Sequence, residues 1–174
     1  MTIPISSARR RLLRCAWLTG GVLAVDQAVK AATSHAAAGR WLYPVHNPGL
    51  SLGVVDTARW SEVAAMAVGL LVATVALGAA LRAGRVRAAP AALVLGGAAS
   101  NLLDRAVTGS VRDMLPVGPI VINPADVAVV AGVLLLASAA TRRLLRSGAG
   151  APTWHACVSG PGRGALEAEG GEPR

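Results

Sequence analysis

Residues 111–140 read VRDMLPVGPIVINPADVAVVAGVLLLASAA and combine two features that decide the fold. The run from 120 to 140 is apolar and long enough to cross a bilayer core as a helix, which takes ~20 residues. Asp113 precedes this run, and Asp126 lies near its start. A carboxylate so close to the hydrocarbon core of a bilayer is costly in free energy, so both aspartates call for a functional explanation.

Composition extends this interpretation to the whole chain. Hydrophobic residues make up 53% of its 174 residues and charged residues only 15%. The mean hydropathy of +0.53 is too high for an ordinary soluble domain. Apolar stretches predict membrane helices at about 12–32, 63–81, 88–106 and 120–140.

We therefore predict an all-α membrane protein with four transmembrane helices in an antiparallel bundle. These helices form one membrane domain over residues 1–146. Residues 147–174 are rich in Gly and Pro and predict a disordered tail.

Basic residues predict the orientation, because they are retained on the cytoplasmic side of short loops. Ten arginines flank one side of the four stretches: Arg9, Arg10, Arg11, Arg14, Arg82, Arg85, Arg87, Arg142, Arg143 and Arg146. The other side holds five bases and six acids. Both termini are therefore predicted to be cytoplasmic. The net charge of +8 reflects this topology and contact with anionic lipid heads, and its dispersal over short loops argues against a nucleic-acid site.

Residues 41–55 differ from the apolar stretches around them. Alternating apolar residues surround the turn-forming run His46-Asn47-Pro48-Gly49. This pattern favours short strands, and it predicts a small extracytoplasmic β platform.

The candidate chemistry on the outer side comes from carboxylates. His35, His46 and His155 are scattered without ligand spacing, so no metal site is expected. No pattern of a serine or cysteine nucleophile with a placed base is present either. Only twelve residues separate Asp113 from Asp126, and they include Pro116, Gly118 and Pro119, which allow the chain to turn back.

Two neighbouring carboxylates cannot easily both ionise, so one keeps a proton while the other can take one from water. Asn123 and Asp126 also have the spacing of a helix capping box, with Pro124 suited to the first turn. A helix N-terminus favours the charged form. We therefore predict that Asp126 is the more readily ionised partner and that Asp113 carries the proton.

Five motifs occur in the order seen in lipoprotein signal peptidases (signal peptidase II), and the chain resembles that family over about residues 12–141. They are VDQAVK (25–30), NPGLSLG (47–53), GGAASNLLDR (96–105), GSVRD (109–113) and NPAD (123–126).

The resemblance implies a bacterial aspartic endopeptidase that removes signal peptides from diacylglyceryl-modified prolipoproteins, cutting just before the lipidated cysteine. Its implied catalytic residues are Asp113 and Asp126. Substrate-binding or dyad-supporting residues are implied at Asp26, Lys30, Asn47, Asn101, Arg105 and Asn123, and Gly97 allows close helix approach.

The family also implies a setting. No metal or cofactor is expected, and the partners are lipidated prolipoprotein signal peptides and membrane lipids. We expect a monomer in the bacterial cytoplasmic (inner) membrane, with its active site near the extracytoplasmic face.

Structural interpretations of the supporting residues stay open. Asp26 and Lys30 are four apart and could simply pair with each other. Asp104 and Arg105 could anchor a helix end at the membrane interface, and Asn47 could be an ordinary turn residue. Two other functions also remain: a small proton- or ion-coupled transporter, or a non-catalytic binder of lipidated peptides.

Three positions depart from the family pattern. Leu52 and Met114 stand where aromatic residues are usual, and Arg112 replaces a residue that is commonly apolar. A guanidinium facing the two aspartates would hinder proton sharing, so we expect Arg112 to point to lipid heads. On that expectation, Arg112→Val cleaves nearly normally.

Overall fold

The computed structural model describes residues 6–39, 41–47 and 59–148. Its helices are α1 (Ser7–Thr33), α2 (Arg59–Arg82), α3 (Ala88–Thr108) and α4 (Pro124–Gly148). The strands are β1 (Val45–Asn47), β2 (Val111–Asp113), β3 (Leu115–Val117) and β4 (Ile120–Ile122). Most of the predicted platform, including Leu52, and the predicted tail beyond residue 148 lie outside the described residues.

The described part is mostly helical, as predicted, and also contains two small antiparallel sheets, of whose strands only β1 lies in the predicted platform. In the first sheet β1 pairs with β2, and His46 stands opposite Arg112. In the second, β3 and β4 form a hairpin whose turn contains Gly118 at φ +59°. This left-handed conformation suits glycine, which has no Cβ to clash.

The helix α4 begins at Pro124, four residues after the start of the predicted fourth span. Residues 120–122 instead form β4, because their backbone groups pair with β3. Apolar composition alone does not distinguish a short buried strand from the start of a helix.

Three of the helices are long and apolar enough to cross a membrane: Ser7–Thr33, Trp60–Arg82 and Pro124–Ser147. Helix α3 is not among them, so the described residues give three candidate membrane helices where four spans were predicted. The physical reason is that α3 buries the polar residues Ser100, Asn101, Asp104 and Arg105 along its second half.

Helix α3 lies at the centre of the bundle and packs against the other three helices. Gly96 and Gly97 allow this close packing. A Cβ at Gly96 would lie 2.7 Å from Val22 Cβ of α1, and a Cβ at Gly97 would lie 2.5 Å from the Ala125 carbonyl oxygen of α4. Small residues at such crossings are typical of membrane helices.

Helix α2 presents apolar side chains outward, among them Val68, Leu71, Val72 and Val75, which are more than 60% exposed. In an integral membrane protein such a face contacts lipid. The C-terminal end of α2 is tied to α1 by Arg11, which donates from Nε to the Leu81 carbonyl at 2.7 Å and from Nη2 to the Arg82 carbonyl at 2.8 Å. The beginning of α1 and the end of α2 therefore lie at the same end of the bundle.

Candidate active site

The two aspartates lie at the end of the bundle opposite to the Arg11 contact. Asp113 ends strand β2, and Asp126 lies in the first turn of α4. Both line one cavity of about 710 Å³, together with Asn47, Asn101, Arg105 and Asn123. The structure therefore brings six of the nine predicted site residues around a single cavity.

Asn123 connects the two aspartates. Its Nδ2 donates to Asp113 Oδ1 at 2.6 Å, and its Oδ1 accepts from the Asp126 backbone N–H at 2.9 Å. Asp126 Oδ2 in turn accepts from the Asn123 backbone N–H at 3.1 Å. These last two bonds form a reciprocal cap at the N-terminus of α4. Asn123 is fully buried, so it holds both carboxylates in fixed positions.

Asp113 is buried at the end of β2, between Asn47 of β1 and Asn123 at the start of α4. Asn47, at the end of β1, donates from Nδ2 to Asp113 Oδ2 at 3.2 Å. Burial raises the pKa of Asp113 above its ordinary value, although the donors Asn123 and Asn47 oppose this, and the nearby charge of Asp126 adds to the rise. Asp113 therefore retains its proton more readily than a free aspartate does.

Asp126 is oriented by a chain of donors that begins at a buried lysine. Lys30 donates from Nζ to Asn101 Oδ1 at 2.9 Å, and Asn101 donates from Nδ2 to Asp126 Oδ1 at 2.8 Å. An ammonium has no acceptor, so the amide oxygen of Asn101 must face Lys30 and its NH₂ must face Asp126. This chain of donors fixes the orientation of the Asp126 carboxylate.

Lys30 also lies between two buried acids. Its Nζ is 2.7 Å from Asp26 Oδ2 and 3.0 Å from Asp104 Oδ2. Asp26 Oδ1 accepts from the Ala125 backbone N–H at 2.8 Å, which fixes the first turn of α4 next to Asp126. Asp26 and Lys30 do pair with each other, but they also connect α1 to the two neighbouring helices.

The interpretation of Asp104 as an interface anchor is wrong. Its side chain is only 1% exposed, because it faces inward from α3 toward Lys30, Gln27 and Arg112.

The expectation for Arg112 is also wrong, because its side chain does not face lipid heads. It donates from Nη2 to Asp104 Oδ1 at 2.7 Å and to Gln27 Oε1 at 2.6 Å. Lys30 already neutralises Asp26, and the second buried carboxylate of the group, Asp104, draws the guanidinium inward, on the side of β2 away from the cavity.

Three polar residues in this region were missed by the sequence reasoning. Gln27 donates to Ser100 Oγ at 2.8 Å and to Asp104 Oδ1 at 2.9 Å, and Ser100 donates to Asp26 Oδ2 at 2.6 Å. Glu62 is only 6% exposed and lies with Oε2 3.9 Å from Arg105 Nε. Gln27 and Ser100 lie inside motifs quoted above, whereas Glu62 had no sequence signal beyond being an acid near an apolar stretch.

Away from the carboxylates, along α2 and α4, the cavity is lined by apolar side chains. Its walls there are Met66 of α2 and Val127, Val130, Ala131 and Leu134 of α4. Among the described residues no group of three or more His, Cys, Asp or Glu side chains could hold a metal ion. The arrangement places two carboxylates beside an apolar groove, which suits acid–base chemistry on an apolar chain.

This fold defines an integral membrane protein that is similar to solved bacterial membrane enzymes. A bacterial membrane enzyme structure obtained by the in meso method at 2.3 Å resolution gives a TM-score of 0.60 at 18% identity, over 79% of this chain and 91% of that chain. A second, obtained by the same method at 1.9 Å resolution, gives a TM-score of 0.57 at 19% identity, over 72% and 90%.

Residues 18–142 match the family described as signal peptidase (SPase) II. The chain belongs to the signal peptidase II family, a family of membrane proteases, which confirms the resemblance carried by the five motifs. A comparison with curated proteins gave no match.

Proposed function

We propose that this protein is an aspartic endopeptidase that removes the signal peptide of prolipoproteins, cutting just before the diacylglyceryl-modified cysteine. The observation that carries the proposal is the pair Asp113 and Asp126, linked by Asn123 at the head of an apolar cavity. Membership of the signal peptidase II family supports the substrate class.

In the proposed mechanism the ionised Asp126 takes a proton from a water molecule as its oxygen attacks the scissile carbonyl carbon. Protonated Asp113 donates a hydrogen bond to the carbonyl oxygen, where negative charge develops. The tetrahedral intermediate then collapses, the C–N bond breaks, and the proton that Asp126 took from water passes to the leaving amine. The raised pKa of Asp113 and the donors on Asp126 support this division of roles.

The apolar part of the cavity suits the signal peptide. Met66, Val127, Val130 and Leu134 provide a surface that an apolar peptide segment can cover as it approaches the carboxylates from within the bilayer. The lipid chains of the substrate remain beside the helices, against apolar faces such as that of α2. A substrate that is anchored in the membrane explains why the protease is built there.

We also propose that α3 is a fourth spanning helix of a membrane domain covering residues 1–146. Its 21 residues give a length of about 31 Å, and its polar side chains face the other helices rather than lipid. The ten arginines that flank the predicted spans then lie at one end of the bundle, and Asp113 and Asp126 lie at the other. This places both termini in the cytoplasm and the site near the extracytoplasmic face of the inner membrane.

Orientation is tested by reporter fusions to the full chain. Green fluorescent protein fused after residue 174 should fluoresce, whereas alkaline phosphatase at the same position should be inactive. The reverse pattern would contradict the proposed topology.

The activity is tested with the full-length protein in detergent and a synthetic peptide that carries a diacylglyceryl-cysteine. Asp113→Asn and Asp126→Asn should each lower kcat by about 10³-fold or more while the protein still folds. Glu169→Gln, which lies beyond the residues matched by the family, is the control and should cleave normally. The mass of the product should place the cut directly before the lipidated cysteine.

A non-catalytic binder of lipidated peptides would bind this substrate and leave it intact in every variant. Full cleavage by either Asn variant would also refute the proposed dyad.

A further inference from the structure

Arg112 is bound to the carboxylate network although it lies directly before Asp113. The middle residue of a three-residue strand points to the side opposite its two neighbours. In β2 the neighbours Val111 and Asp113 are buried, whereas Arg112 is partly exposed. Arg112 therefore faces away from the cavity and can act on the site only through other residues.

Asp104 holds Arg112 by both its side chain and its backbone. The guanidinium Nη2 donates to Asp104 Oδ1 at 2.7 Å, and the backbone N–H of Arg112 donates to Asp104 Oδ2 at 3.2 Å. The same Nη2 donates to Gln27 Oε1 at 2.6 Å. These three bonds attach β2, and with it Asp113, to α3 and α1.

Arg112 also balances the charge around Lys30. The network contains two acids, Asp26 and Asp104, and two bases, Lys30 and Arg112. Three of these side chains are at most 2% exposed, and that of Arg112 is 22% exposed. Removal of Arg112 would leave Lys30 alone to neutralise two buried carboxylates, which is unfavourable in a region of low dielectric.

We propose that Arg112 is a positioning residue for both catalytic aspartates in this chain. Through Asp104 it fixes the strand that carries Asp113. By neutralising Asp104 it leaves Lys30 free to hold Asn101, which orients Asp126. An apolar residue at this position would provide neither effect. The inference rests on the proposed function, because the position of the two aspartates is tested by measuring the rate of peptide cleavage.

The test compares variants of the full-length enzyme on the diacylglyceryl-cysteine peptide. Arg112→Met removes the charge and the donors, and Arg112→Gln keeps donors without the charge. Arg112→Lys keeps the charge. Arg112→Met combined with Asp104→Asn restores charge balance. Arg85→Met is the control, because Arg85 is exposed and lies in the loop between α2 and α3, away from the site.

Arg112→Met and Arg112→Gln should lower kcat by about 10- to 100-fold, because displacement of catalytic groups by about 1 Å costs on that order. KM should change by less than about twofold, since the substrate cavity is not altered. Because a single nitrogen of Arg112, Nη2, makes both side-chain bonds, the ammonium of Arg112→Lys can replace it, and this variant should stay within about threefold of the parent enzyme. The double variant should have a kcat at least about threefold higher than that of Arg112→Met. The control, Arg85→Met, should match the parent enzyme.

The inference is overturned if Arg112→Gln retains its kcat, if KM alone changes, or if the double variant is no better than Arg112→Met. If Arg112→Met does not fold, the comparison of Arg112→Gln with Arg112→Lys decides the question in the same way. Asp113→Asn separates this result from the proposed function. If Asp113→Asn cleaves, the dyad itself is wrong, whereas an inactive Asp113→Asn with a fully active Arg112→Gln refutes only the role of Arg112.

Discussion

The substitution Gly97→Ala should displace the proposed dyad without removing any polar side chain. A Cβ at this position would lie 2.5 Å from the Ala125 carbonyl oxygen and 2.8 Å from Val129 Cγ2. Ordinary van der Waals contacts begin at 3.4 Å, so α3 and α4 must separate by roughly 1 Å at this crossing. Ala125 directly precedes Asp126, and the separation therefore moves one carboxylate of the proposed dyad.

Two energetic terms of opposite sign apply to this substitution. Ala is favoured over Gly within a helix by about 1 kcal/mol, whereas overpacking costs about 1–3 kcal/mol. Gly69→Ala in α2 isolates the first term, because nothing lies within 4 Å of a Cβ built there. The difference between the two variants is therefore the packing term alone, about 1–3 kcal/mol.

Thermal unfolding in detergent and cleavage of the diacylglyceryl-cysteine peptide measure the two consequences. Gly97→Ala should melt about 3–10 °C below Gly69→Ala, and its kcat should fall on the order of 100-fold from the displacement of Asp126. Gly69→Ala should match the parent in activity and be equally or more stable. If Gly97→Ala is as stable and as active as Gly69→Ala, the close α3–α4 crossing is not what positions the dyad.

Two further predictions concern the groups that hold the dyad. Asn47 donates to Asp113 and lowers its pKa against the effect of burial, so Asn47→Ala should raise that pKa further. In the proposed mechanism Asp113 must be protonated, and the basic limb of the kcat/KM profile should therefore move to higher pH; a move to lower pH would reverse the assigned roles. Lys30→Met should destabilise the protein by about 3–5 kcal/mol, because it leaves two buried carboxylates without their shared cation. The double variant with Asp26→Asn should unfold at a higher temperature than Lys30→Met alone in thermal melts, and equal melting temperatures would show that the two residues are not coupled.

Apolar run length predicted all four helices, and arginine placement, together with family motifs, predicted the candidate site. The helices depend on local composition, which a single sequence carries. The strands β2, β3 and β4 were not predicted, because three-residue strands form only where a partner strand supplies backbone hydrogen bonds. The fourth predicted span consequently began too early, at 120 instead of Pro124.

The sequence by itself determined that this is a membrane protein of the signal peptidase II family with two candidate catalytic aspartates. Only the tertiary structure decided how these carboxylates are held. The carboxylate of Asp126 is held by Asn101 of α3, which is bonded to Lys30 of α1, and by Asn123 at the start of α4. Arg112 turns inward to Asp104. Lys30 and Asn101 are 71 positions apart, and Asn101 and Asp126 are 25 apart, so local sequence could not predict these contacts. The charge balance that attracts Arg112 exists only once Lys30, Asp26 and Asp104 have been brought together by helix packing.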